Sequence, residues 1–201
     1  EFITLQSPQA VHDTVIAEGL AQLHSLRGPA FGFDSNNFIG RTPQLNQFQT
    51  DWWTFWCECR IRPQWRLAHL KGMRTALLDK IERLIEMIPQ RFGTHQPAPV
   101  LLHGDLWSGN LAVDGQGRLC LFDPAVYYGD RETDIAMSRM FGALRPAVYE
   151  RYHAAHPVQP GAAIRQVLYD LYHWLNHFNL FGVSYLGQVE NTLDQLPDFT
   201  D

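Results

Sequence analysis

The segment His103-Gly104-Asp105-Leu106-Trp107-Ser108-Gly109-Asn110 reads His-x-Asp-x-x-x-x-Asn, and a short apolar run, Leu119-Cys120-Leu121-Phe122, ends downstream in Asp123. Two carboxylates and one amide at this spacing are the groups used in transfer of a phosphoryl group from a nucleotide to a hydroxyl. The phosphoryl group moves with little covalent help, so the protein's task is to position and to neutralise. Mg²⁺ takes oxygen ligands and keeps several waters, so one amide and one carboxylate suffice on the protein side. This reading makes Asp105 the base that accepts the hydroxyl proton. Asn110 and Asp123 become the metal ligands. A lone Asp-x-x-x-x-Asn occurs by chance in many chains, and His103-Gly104-Asp105 alone fits a surface turn. The context adds weight.

That context is a set of strands. Pro99-Val100-Leu101-Leu102 is an apolar run that feeds the loop. Leu111-Ala112-Val113 and Leu119–Phe122 flank Asp114-Gly115-Gln116-Gly117, which is turn chemistry between two strands. The loop and Asp123 are therefore expected at neighbouring strand ends, inside a catalytic hairpin spanning residues 99–125.

At 201 residues the chain is one ordinary domain or one large lobe, and 45% hydrophobic content is enough for a core. A net charge of −5 leaves no basic footprint for nucleic acid. Lysine is confined to Lys71 and Lys80. Three cysteines give no disulfide framework and point to a reducing, cytoplasmic setting. Cys57-x-Cys59 lacks a second ligand pair at zinc spacing, so these are read as core cysteines. No signal peptide and no apolar run of membrane length is evident, so no membrane partner is expected.

The remaining elements read as mostly helical. Ser7 with Pro8 suggests a helix start, with apolar residues at helical spacing up to Gly28-Pro29. Residues 29–49 read as a long polar loop. Thr50-Asp51 opens an aromatic helix holding Trp52, Trp53, Phe55 and Trp56, read as a core stripe. Pro63 reads as a break before a new helix, Gly72 as a possible interruption, and Pro89 as its end. Glu132 and Asp134 begin a short helix and, with His103, are read as structural support. Pro146 starts another helix. A long helix covers about Ala162 to Phe181, and His173, Asn176, His177 and Asn179 crowd on it. These are either buried polar groups satisfied internally or a polar wall facing substrate. Residues 187–201 read as a frayed, acidic end.

His103 through Asn110, then Asp123-Pro124-Ala125, then Tyr128 through Met137 resemble the fructosamine kinase (ketosamine-3-kinase) family. Two flanking stretches agree: Phe31-Gly32-Phe33 with Ile39-Gly40, Gln44 and Asn46, and Leu168-Tyr169 through Leu175-Asn176-His177-Phe178-Asn179-Leu180-Phe181-Gly182. The similarity covers nearly the whole chain. Ser108 stands where this family usually has glycine. The Asp/Asn/Asp set is shared with aminoglycoside phosphotransferases and choline kinases, whereas Trp107 and the late Asn-His-x-Asn-x-Phe-Gly stretch are more particular to this family.

The resemblance implies an α+β, mainly helical fold: the C-terminal lobe of a protein-kinase-like enzyme, with a small β-hairpin carrying the catalytic loop. It implies ATP- and Mg²⁺-dependent phosphorylation of the sugar 3-hydroxyl of a fructosamine adduct, typically on lysine, after which the sugar is shed in deglycation repair. Trp107, Asn176, His177 and Asn179 are then the substrate-binding residues. No phosphate-covering loop or strand lysine is found, so the N-terminal lobe is expected to be missing and the chain inactive alone. Glu1-Phe2-Ile3 resembles the hinge between lobes, which makes Glu1 and Phe2 the expected adenine contacts. Two other readings compete: an aminoglycoside- or choline-type kinase, and a non-catalytic binding module.

Overall fold

The structure, a computed structural model, describes residues 3–196. The expected adenine contacts Glu1 and Phe2 lie outside the described residues. The chain enters as strand β1 (Leu5–Gln6), which pairs antiparallel with β5 (Leu111–Asp114). β5 in turn pairs with β6 (Leu119–Leu121), giving a sheet of order β1-β5-β6. The turn between β5 and β6 closes because the Asp114 carboxylate accepts from the backbone of Gln116 and Arg118, both at 2.9 Å. β4 (Val100–Leu102) does not join this sheet. It pairs with β7 (Tyr127–Gly129), so strands on either side of the catalytic loop belong to two different sheets.

The first helix begins later than Ser7-Pro8 suggested. A short 3₁₀ turn over Ala10–His12 precedes α1 (Asp13–Leu23), and the imidazole of His12 accepts from the Gln9 amide at 2.9 Å. The polar stretch 29–49 is not all loop. It folds β2 (Asn37–Ile39) against β3 (Thr42–Gln44), with Gln44 and Asn46 both bonded to the Asn37 side-chain oxygen.

Asp51 caps the aromatic helix, accepting from the Thr54 amide at 2.8 Å. Helix α2 (Trp52–Phe55) does not end at Pro63. It passes through a π-helical turn (Trp56–Ile61) into α3 (Arg62–Leu70), which places Pro63 in the first turn of α3. There its missing N–H costs little. The predicted break at Gly72 is real. Pro89, however, sits inside α4 (Thr75–Phe92), and the Ile85 carbonyl that its ring leaves unbonded takes a thiol contact from Cys57 at 3.7 Å.

Trp52, Trp53, Phe55 and Trp56 are all buried. Trp52 is the hub: its ring lies within 6.3 Å of Phe31, Trp53, Phe55, Trp56 and Tyr169, and its indole N–H donates to the Tyr169 hydroxyl at 3.0 Å. This core joins α2–α4 to α7 (Ala162–Phe181) and α8 (Leu186–Gln195). The C-terminal stretch expected to fray is therefore helical as far as Gln195, because Val189 and Leu193 give it a buried face. A second core gathers Ile16 and Leu20 of α1 with Val148, Tyr149 and Tyr152 of α6 (Pro146–Ala155) and Ile135 of α5 (Glu132–Met140). Leu102 belongs to the first core, and Leu106 and Leu111 to the second, so the catalytic loop is pinned at both ends and in its middle. Among the described residues no helix is long and apolar enough to cross a membrane.

Replacing Trp52 with Ala is expected to cost about 3–5 kcal/mol, the range for emptying a large aromatic site in a packed core. Urea unfolding of the two chains measures it. A loss under about 1 kcal/mol would mean the helices are held together by something other than this cluster.

Candidate active site

The loop after β4 is held by one buried carboxylate. Asp134, in the first turn of α5, accepts from the His103 amide at 2.7 Å and from the Gly104 amide at 2.8 Å. His24, the C-cap of α1, approaches the same carboxylate at 3.1 Å and bonds the Tyr152 hydroxyl at 2.6 Å through its other nitrogen. Burial works to raise the Asp134 pKa, but the hydrogen bond and charge of His24, with the Gly104 amide, outweigh it and hold the carboxyl below its ordinary range. Gly104 has φ +81°, and a Cβ there would lie 2.0 Å from the Ala125 carbonyl oxygen, so only glycine lets the two loops touch.

From this anchor the remaining groups follow. The Asp105 amide donates to His103 Nδ1 at 3.3 Å, which leaves Nε2 to carry the proton and donate to the Phe122 carbonyl at 3.0 Å. Asn110 closes a 3₁₀ turn over Ser108–Asn110 and donates through Nδ2 to the Asp105 carbonyl (3.0 Å) and carboxylate (3.2 Å). Its amide oxygen is left for another partner. The pairing of Leu111 with Leu121, continued by the Phe122 amide on the Asn110 carbonyl at 3.2 Å, brings Asp123 beside Asn110. Asp123 is exposed and has φ +53°, the one positive φ at a non-glycine among the described residues. Such a conformation costs on the order of 1 kcal/mol or more and persists where surrounding structure imposes it. The pair Asn110 and Asp123 offers only oxygen donors, which fits a hard cation such as Mg²⁺.

Burial raises the Asp105 carboxyl to about 6, with the like charges of Asp134 and Asp123 adding to it and His103 and Asn110 opposing. Asp105 opens onto a cleft of about 340 Å³. Trp107 is 36% exposed on this cleft, its ring covering Gly109, where a Cβ would sit 2.1 Å from the indole. Phe141 meets Trp107 edge-on at 6.4 Å and stacks on His177 at 4.8 Å. His177 donates Nδ1–H to the His173 carbonyl at 2.8 Å, and burial lowers its pKa, so the ring is neutral near pH 7. Asn176 also lines the cleft, accepting from Gln64 at 3.3 Å.

Asp105, Asn110, Asp123, Trp107, Asn176 and His177 therefore converge. Asn179 does not. Its Nδ2 donates to the Gln64 carbonyl (2.9 Å) and side-chain oxygen (2.8 Å): three residues beyond Asn176 it lies about 60° round the helix, and its whole amide faces α3. Glu132 is remote as well, forked onto Arg165 at 2.7 and 2.8 Å. It closes a polar knot in which Asp130 accepts from His95 and Tyr169, both at 2.7 Å. Donor atoms of His95, Asp130 and Glu132 lie within 4.8 Å of one another beside a larger cleft of about 680 Å³, but internal donors already occupy both carboxylates. Sequence reasoning missed Phe141, Phe181 and Tyr185, which complete the aromatic cleft. The spacing of His177, Phe181 and Tyr185, four residues apart, was the available signal.

The chain shares its fold with the choline kinase of Streptococcus pneumoniae, at TM-score 0.62 and 15% identity over 96% of this chain and 66% of the other. Much nearer is a Thermobifida fusca structure bearing the name fructosamine-3-kinase: TM-score 0.90, 28% identity, 96% of this chain and 67% of the other. A probable ketoamine kinase of Vibrio parahaemolyticus is 46% identical over 178 residues, which is 88% of this chain and 60% of that protein. The family model for fructosamine kinase matches residues 1–198, and the chain belongs to the fructosamine kinase family. It spans about 60% of the length of the curated relatives it matches most strongly.

Folding that raises the Asp105 pKa from 3.8 to about 6 favours its protonated form, so the native state holds the extra proton between those values. Stability is therefore lost as pH rises through that window. Asp105→Asn is expected to be more stable than the parent by on the order of 1–3 kcal/mol at pH 8, the lower end allowing for partial exposure, and little different below pH 4. Denaturant melts at the two pH values check this, and an equal difference at both would remove the ionisation argument.

Proposed function

We propose that this chain carries the base, the metal ligands and the acceptor cleft of an ATP- and Mg²⁺-dependent kinase that phosphorylates a sugar hydroxyl of ketoamine adducts. The carrying observation is one buried carboxylate, Asp134, that locks a loop presenting Asp105 beside Asn110 and Asp123, with Asp105 opening onto an aromatic cleft. The names of the relatives supply the substrate class.

In this reading Asp105 accepts the proton of the attacking hydroxyl as the new O–P bond forms and the bond between the γ-phosphorus and the β,γ-bridging oxygen breaks. A carboxyl raised to about 6 is ionised near pH 7 and more basic than an ordinary aspartate. The Asn110 amide orients that carboxylate through Nδ2. Its oxygen and the Asp123 carboxylate would hold Mg²⁺, which neutralises phosphate charge when bound. Trp107 and the Phe141–His177 stack offer flat faces for a sugar ring, and Asn176 a polar edge. Release of the sugar from the phosphorylated adduct would make the reaction a step of deglycation. The lobe that covers the nucleotide is assigned to length present in the relatives and not spanned by this chain. This chain would then be the C-terminal lobe, with residues 99–125 as its catalytic segment.

The full-length protein is expected to phosphorylate fructosyl-lysine in preference to kanamycin or choline under one coupled assay. Asp105→Asn should lower turnover by a factor on the order of 10² or more while leaving nucleotide affinity unchanged, as loss of a positioned base does. In the parent, kcat/KM should rise with pH through about 6 and level above it. A clear preference for an aminoglycoside would transfer the protein to the competing kinase class, and undiminished turnover in the variant would remove Asp105 as base.

A further inference from the structure

Asp123 has no obvious reason to stay where it is. It is exposed, its φ is unfavourable, and Pro124 follows with no N–H to anchor the chain. The first N–H after it belongs to Ala125, and this residue is gripped at both of its backbone polar groups. The Ala125 N–H donates to the His103 carbonyl at 2.9 Å, within the catalytic loop. The Ala125 carbonyl accepts from Gln44 Nε2 at 3.0 Å.

Gln44 ends β3 and is 2% exposed. Nε2 also donates to Asn37 Oδ1 at 2.9 Å, and Oε1 accepts from the Tyr172 hydroxyl at 2.8 Å. Asn37 in turn donates to the Val126 carbonyl at 2.7 Å, so its oxygen must face Gln44 and the orientation of both amides is settled. Asn46 adds a further donor to Asn37 Oδ1 at 3.0 Å and accepts at its own oxygen from Arg60 at 2.9 Å. Arg60 is fully buried, bonds the Leu45 and Cys59 carbonyls, and lies 3.9 Å over the Tyr127 ring. No carboxylate pairs with it among the described residues, so its charge is spent on holding this hairpin.

The same hairpin supplies Ile39 and Gly40 to the acceptor cleft, and the helix bearing Tyr172 supplies Asn176 and His177. Gln44 is thus bonded to both cleft walls and to the segment that follows Asp123. We propose that Gln44 is a positioning residue that sets Asp123 against the acceptor cleft by fixing the backbone of Ala125. The inference rests on the phosphotransfer reading above for its catalytic consequence, and on geometry alone for its structural one.

The test uses the full-length protein with Gln44→Leu, Gln44→Glu and Tyr172→Phe, and Ser138→Ala as a control. The control removes a buried hydroxyl bonded to the Ile135 carbonyl, outside this network. Without nucleotide or metal, amide exchange of Ala125 should accelerate about tenfold in both Gln44 variants and less in Tyr172→Phe, with the control unchanged. In the kinase assay the Mg²⁺ concentration for half-maximal rate should rise about tenfold, and kcat should fall more than the acceptor KM changes. Unchanged exchange and unchanged Mg²⁺ dependence in folded Gln44 variants would overturn the proposal. If both Gln44 variants lose cooperative unfolding, Tyr172→Phe decides on the same two measurements. A parent protein that transfers no phosphate to a ketoamine would defeat the functional reading while the exchange measurement still judges Gln44.

Discussion

The Asp134 carboxylate, shared between the amides of His103 and Gly104, is the constraint on which the rest of the site depends. A buried anion with no Lys or Arg beside it is expensive unless hydrogen bonds satisfy it. Here two backbone donors and His24 do so, and the cost is converted into a fixed direction for the chain leaving β4. From that direction follow the tautomer of His103, the burial of Asp105 and the side of Asn110 turned away from it. Helix α5, which presents Asp134, is itself tied down by the Glu132–Arg165 fork and by the Asp130 knot at its start.

Charge is distributed unevenly over this framework. Asp134 is held ionised by donors, whereas Asp105, nearby and with fewer, is pushed up to about 6. Two aspartates of one loop system are thereby separated in acidity by environment alone, one structural and one suited to accept a proton near neutral pH. Around them the cleft is aromatic and, among the described residues, is lined by no Lys or Arg, while burial lowers the His177 pKa. The one buried guanidinium in this region, Arg60, faces carbonyls and rings rather than the cleft.

Much of this was legible in the chain. The His-x-Asp-x-x-x-x-Asn spacing, the turn between two apolar runs and the terminal Asp123 are local features, and local backbone geometry places them together. The Trp52–Trp56 stripe and the 3.6-residue periodicity of α4 and α7 identified core faces, because one-sided burial imposes that period on any helix. Family membership is likewise carried by short stretches that read directly from the sequence.

Tertiary structure alone decided the remainder. β4 pairs with β7 rather than with its sequence neighbours, since register is chosen by packing across the sheet and not by proximity in the chain. The polar stretch before Thr50 became a hairpin with one buried face because Asn37 and Gln44 find partners in residues 125 and 126, separated from them by 89 and 81 positions in sequence. Pro63 opens α3 directly after a π turn, so the chain stays helical through it, and Pro89 sits inside α4, where a cysteine thiol meets the freed Ile85 carbonyl. Asn176 and Asn179 look equivalent in sequence and both bond Gln64 of α3, yet only Asn176 also reaches the cleft, because the offset of about 60° between them points Asn179 wholly onto α3. Residue type and spacing thus carry the chemistry that a local segment can perform, whereas which polar groups face a ligand depends on partners that only the folded chain brings within reach.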